Sequence, residues 1–112
     1  MKLSELTKKL GLTVKAGAGA PDPDVTACYC GDILSDVMSR AKEGSLWITI
    51  HTHNNIVTVA MLQSLAGVIL VNNRQPDEDT VRKADEENIV LLSTTLTTFE
   101  IAGKIYELGI RG

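Results

Sequence analysis

Aromatic residues are scarce in this chain: one Trp, two Tyr and one Phe among 112 residues. Aliphatic side chains must therefore fill the core, which favours helices layered on a sheet. There is no basic surplus either. Eleven Lys and Arg face 14 Asp and Glu, a net charge of −3, so no stripe of cations is available to neutralise phosphates and nucleic acid is not an expected partner. No apolar run approaches the roughly 20 residues that span a bilayer. The start, Met1 to Leu6, carries no signal-peptide core; the expected location is cytoplasmic, with no membrane partner. The only two cysteines, Cys28 and Cys30, are too few and too close for a disulfide framework, and an extended strand would hold them too far apart to pair with each other. Reduced thiols are expected. There is no Gly-x-x-x-x-Gly-Lys-Ser/Thr phosphate loop, and Ala16 to Ala20 lacks the Gly-x-Gly-x-x-Gly frame and the strand-to-helix context of a dinucleotide fold. No motif calls for a cofactor.

What is present is a pattern that repeats four times: an apolar strand runs into a polar cluster, and the cluster opens a helix. The strands are read at Val25 to Cys30, Leu46 to Ile50, Val68 to Val71 and Ile89 to Leu92. The helices are read from Asp32 to Lys42, Asn55 to Leu65, about Pro76 to Glu87, and Thr98 to Leu108. Residues 1–24 are read as an appendage to the domain at 25–112: a helix with Leu3, Leu6 and Leu10 on one face, a short strand at Leu12 to Val14, and a mobile Gly/Pro-rich loop, a hinge or lid, from Ala16 to Asp24. Short connections and right-handed crossovers make the fold class α/β: three layers, a mainly parallel sheet of four to five strands, helices on both faces. All four clusters then lie along the carboxyl edge, where open α/β sheets bind ligands. Helix N-termini there offer free N–H groups and a positive dipole end, which suit an anionic ligand.

Each candidate residue on that edge also has an ordinary role. Asp32 and Ser35 meet a ligand or cap the second helix. Thr52, His53, Asn54 and Asn55 supply more polar groups than one cap needs. Asn72, Asn73 and Arg74 follow the third main strand, and Thr94 and Thr95 the fourth, while Thr97 or Thr98 caps the last helix with Glu100 reaching back in a capping box. Cys28 and Cys30 on one strand end, with His51 and His53 on the next, would make a two-sulfur, two-nitrogen site for zinc or iron if the strands are neighbours. A histidine acting as a general base is a third option, without an evident nucleophile. Met38 and Met61 are expected in the core. Trp47 is expected to face either a helix layer or a partner subunit, where it would anchor a dimer.

The segments Gly31-Asp32-Ile33-Leu34-Ser35-Asp36-Val37-Met38, Trp47-Ile-Thr-Ile-His-Thr-His-Asn-Asn-Ile-Val57, Gly67-Val-Ile-Leu70 and Thr95 to Phe99 resemble a DRTGG domain over roughly residues 25 to 110. Such domains are regulatory modules similar to the N-terminal domain of HPr kinase/phosphorylase. The Asp-Arg-Thr-Gly-Gly string itself is absent, and His51 to Asn55 stands at the corresponding turn. The kinase activity of HPr kinase resides in its other domain, so none is implied here. The resemblance implies a non-catalytic sensing module, a symmetric homodimer, and, through similarity to stand-alone forms encoded beside iron-only hydrogenases, a hydrogenase or other enzyme as partner. The expected ligand is a small anion, such as a nucleotide, held by Asp32, Ser35, Thr52, His53, Asn54, Asn72 and Thr95. The alternative is a metal or iron–sulfur accessory protein using Cys28, Cys30, His51 and His53.

Overall fold

The computed structural model describes all 112 residues. Strands β1 (Thr13–Ala16), β2 (Ala27–Cys30), β3 (Ser45–Thr49), β4 (Gly67–Leu70) and β5 (Leu91–Ser93) form one sheet in the order β1-β5-β4-β3-β2. Strands β2 to β5 are parallel, and β1 pairs antiparallel with β5. Five helices cover the sheet: α1 (Leu3–Leu10), α2 (Leu34–Arg40), α3 (Asn55–Leu62), α4 (Glu78–Glu87) and α5 (Thr98–Glu107). The α/β architecture expected from the alternation of apolar runs and polar clusters is the one observed. Alpha-1 and β1 are built into the same sheet and core as the rest.

Two apolar layers hold the sheet. Leu46, Ile48, Ile69, Val71 and Leu92 point to one face, where Leu3 and Leu6 of α1 and Ile101 and Ile105 of α5 cover them. Trp47, Val68, Leu70 and Leu91 point to the other, beneath Val37 of α2, Ile56, Val57, Val59 and Ala60 of α3, and Ala84 of α4. The strict alternation along β3 and β4 explains why both read as continuous apolar runs: each is buried on both faces. Of the two settings open to Trp47, the structure gives the helix layer. The side chain is fully buried and its indole N–H donates to the Gly31 carbonyl at 2.8 Å, so it anchors no dimer.

Other local readings are corrected. Met38 and Met61 are 46% and 43% exposed rather than core; Val37 and Ala60, one residue earlier in each helix, take the inward positions. The Ala16 to Asp24 segment is tied down: the Gly17 N–H donates to Asp85 Oδ1 at 2.7 Å, and the Ser4 N–H donates to Asp22 Oδ1 at 2.9 Å. Gly17 is required there, since its φ is +77° and a Cβ would lie 2.2 Å from the Ile89 carbonyl oxygen.

Candidate functional site

Because β2 to β5 are parallel, their carboxyl ends share one edge, and the four polar clusters form a rim along it. Neighbouring clusters are hydrogen-bonded pairwise. Asp32, at the end of β2, accepts the Thr49 hydroxyl at 2.8 Å and the Ile50 N–H at 3.0 Å, both from the end of β3. The His51 ring donates through Nε2 to the Asp32 carbonyl. The Thr52 carbonyl accepts the Asp77 N–H at 3.1 Å and the Thr80 hydroxyl at 2.8 Å, joining the β3 and β4 junctions. The Asn72 and Asn73 N–H groups donate to the carbonyls of Leu96 and Thr94 at 2.9 and 2.8 Å, joining the β4 and β5 junctions. Asn72 and Asn73 both adopt the left-handed conformation, at φ 59° and 56°, which Asn tolerates better than most residues.

The expected site residues thus share one edge but divide by role. Asp32 does not cap α2; the N-cap position is Ile33, with no side-chain bond. The Asp32 carboxylate instead ties the end of β3. Ser35 is exposed in the first turn of α2. Thr94 is not free, because its hydroxyl accepts the Leu96 N–H at 3.2 Å; Thr95 beside it is exposed. Thr97 caps α5 in a capping box with Glu100, as expected. That arrangement holds the Glu100 carboxyl below its usual range, through the Thr97 N–H first and its hydroxyl second.

Acidic partners on the rim escaped sequence reasoning. His53 Nδ1 lies 2.8 Å from Asp77 Oδ2, and Asn54 Nδ2 donates to Asp79 Oδ2 at 3.1 Å. Both acids had a sufficient reading as first-turn residues of α4, so nothing in the spacing pointed across to α3. Tyr29 donates its hydroxyl to Asp36, whose carboxyl is held below its usual range by that bond first. The first turns of α2, α4 and α5 carry Asp36, Glu78 with Asp79, and Glu100; that of α3 carries no acid. The positive end of α3 is therefore the one not offset by a carboxylate of its own first turn. Exposed His53, Asn54 and Asn55 surround it.

The chain's course supplies a second feature. The connection after β4 leads to α4 on one face, and that after β5 leads to α5 on the other. Adjacent strands that send their helices to opposite faces open a crevice at their carboxyl ends. A pocket of about 250 Å³ lies beside it, lined by Asn73, Ser93, Thr94 and Thr95 from the rim and by Gly11 and Thr13 from the α1–β1 turn. Hydroxyls and an amide dominate this lining, which suits a sugar or another polar ligand group.

No three His, Cys, Asp or Glu side chains come together in a metal-binding group. His51 and His53 are engaged as described. The half-buried Cys28 thiol and the exposed Cys30 thiol lie two residues apart on β2; each acts first on the other, which pushes Cys28 up and Cys30 down from the ordinary thiol range. Among the solved structures, the chain is similar to the CBS and DRTGG domains of the regulatory region of Clostridium perfringens pyrophosphatase, a structure complexed with its activator diadenosine tetraphosphate. The TM-score is 0.67 at 13% identity, over 90% of this chain. The chain spans 44% of that structure's length, and the likeness shows the fold. No curated protein matches the sequence significantly. The model of the DRTGG domain matches residues 22–108, and the chain belongs to the DRTGG domain family.

Proposed function

We propose that this domain is a non-catalytic regulatory module that binds a small anionic ligand, a nucleotide in the first instance, on the carboxyl rim, and that it acts as a symmetric homodimer. The observation that carries the reading is the polar crevice at the ends of β4 and β5, one strand from the N-terminus of α3, whose own first turn carries no acid and whose His53 and Asn54 are met by Asp77 and Asp79 of the next junction. Strands lie about 4.8 Å apart, so the crevice and the α3 terminus are about 10 Å from each other. A nucleoside polyphosphate spans that distance, with its sugar beside Thr95 and Asn72 and its phosphates at His53, Asn54 and Thr52. Asp32 and Ser35 border the far end of the rim, where Asp32 positions the β3 junction. A pocket of about 250 Å³ is smaller than the roughly 300–1,000 Å³ typical of whole small-molecule sites, which fits one part of such a ligand.

Membership of a family of regulatory domains supports the same reading, as does a structural neighbour crystallised with a dinucleoside polyphosphate. The domain's regulated partner, from the resemblance of the sequence to hydrogenase-associated forms, is expected to be an iron-only hydrogenase system. Binding would act by differential affinity, favouring whichever rim conformation contacts the ligand better. The test is a titration of isotope-labelled protein with nucleoside mono-, di- and triphosphates and dinucleoside polyphosphates, followed by amide NMR. The expected result is saturable movement of the amides of residues 52–56 and 94–96, lost in His53→Ala/Asn54→Ala. Saturable binding that moves other amides, or survives in the double variant, would remove this site.

A further inference from the structure

The largest cavity of the chain, about 630 Å³, lies beyond the rim clusters, at the β1 edge of the sheet. Val14 stands opposite Leu92 in the β1–β5 register, so it points to the face where Leu92 joins the core. Leu92 is fully buried there, yet Val14 is 46% exposed, an apolar side chain on the inner face that the chain leaves half uncovered. Val14 and Val90 form the floor of the cavity. One wall is α1, through Ser4, Thr7, Lys8 and Gly11, whose spacing puts them on one helical stripe. The other wall is the segment from Gly17 to Pro23. Both walls are pinned. The Ser4 N–H and hydroxyl donate to the Asp22 carboxylate, the Leu3 N–H donates to the Pro23 carbonyl at 2.9 Å, and Asp85 holds the Gly17 N–H. The cavity is thus formed in advance, which lowers the ordering cost of binding.

We propose that this cavity takes the base of a purine nucleotide whose sugar and phosphates lie on the rim. The inference rests on the nucleotide reading and places the end of the ligand that reading leaves without a site. Three observations carry it. The cavity and the polar crevice at β4 and β5 both border Gly11, which has no side chain to part them; even a Cβ built there would meet nothing within 4 Å. The order of sites also matches the order of a nucleotide. From β3 through β4 and β5 to β1, the edge offers the α3 terminus for phosphates, the hydroxyl-lined crevice for the sugar, and then this cavity. Finally, the chemistry changes along that path from polar to mostly apolar, as it does from phosphate to base. A purine is flat and uncharged, and an apolar floor with a few polar groups at the walls suits it. Of Lys2, Lys8 and Lys9, only Lys8 makes no ion pair. Its ammonium, on the α1 wall, is a donor for the acceptor atoms along a purine's edge.

The test is titration of the wild-type chain and of Val14→Trp with ATP, GTP and inorganic tripolyphosphate, read by calorimetry and amide NMR. In the wild-type chain at least one of the two nucleotides is expected to move the amides of residues 12–14 and 18–20 together with 52–56 and 94–96, and to bind at least about tenfold tighter than tripolyphosphate. Tripolyphosphate is expected to leave 12–14 and 18–20 unmoved. Val14→Trp keeps a residue suited to a strand and fills the floor; thermal unfolding checks its fold. It is expected to weaken nucleotide binding at least about tenfold without changing the response to tripolyphosphate. Nucleotide binding that moves 52–56 and 94–96 but not 12–14 and 18–20, or that is equally tight in a folded Val14→Trp, would overturn the inference and leave the rim reading standing. A chain in which no nucleotide moves 52–56 and 94–96 would remove the rim reading and this inference with it.

Discussion

Single residues carry more of this structure than their types suggest. Trp47 fills the α2–α3 side of the sheet and also ties the Gly31 carbonyl through its indole N–H. Trp47→Phe keeps an aromatic body but strands that carbonyl and shrinks the filled volume. It is expected to lower stability by about 1–3 kcal/mol in urea unfolding. Glu100 reports on acid. Its carboxyl is held below the ordinary value of 4.5 by the capping box, so the folded state prefers it ionised. A group shifted down in the native state contributes stability above its unfolded pKa and loses it as pH falls through the folded one. Stability should therefore decline from about pH 4.5 downward, with Asp36 and Asp22, lowered from 3.8, extending the decline. Glu100→Gln, which has no proton to gain, should show a shallower acid limb in midpoint-against-pH measurements.

Elements were readable where both faces of a strand or one face of a helix repeat a pattern. The apolar runs Leu46 to Ile50 and Val68 to Val71 announced central parallel strands, and Thr97 with Glu100 announced the start of α5. Legibility failed where one residue had two adequate roles. Asp32 looks like a cap for α2, yet its carboxylate ties β3. Asp77 and Asp79 look like dipole-matching acids, yet they reach His53 and Asn54. Met38 and Met61 fit an apolar stripe, but helical rotation gave the inward positions to Val37 and Ala60. A Gly/Pro-rich composition suggested mobility from Ala16 to Asp24, while long-range bonds to Asp85 and Ser4 anchor that segment. Its anchor is open to test. Gly17→Ala combines a left-handed φ with a backbone clash against Ile89. It should cost about 1–3 kcal/mol by chemical denaturation, whereas Gly19→Ala, where a Cβ meets nothing, should be nearly neutral.

At the scale of the whole molecule, one progression of parallel strands sends α2, α3 and α4 to one face, and only the final connection sends α5 to the other. The consequence is one polar rim with a crevice at β4 and β5, beside an outward helix that carries Phe99 and Tyr106. The central claim is that the rim binds a small anionic ligand. Its most direct test is thermal unfolding of the wild-type chain and of His53→Ala/Asn54→Ala across nucleotides and dinucleoside polyphosphates. A ligand at about a hundred times its dissociation constant adds roughly 2.7 kcal/mol, on the order of 10 °C for a domain of this size. Such a shift is expected with at least one phosphorylated ligand in the wild-type chain, and little or none in the double variant. An unchanged melting temperature with every ligand, or an equal shift in both proteins, would contradict it.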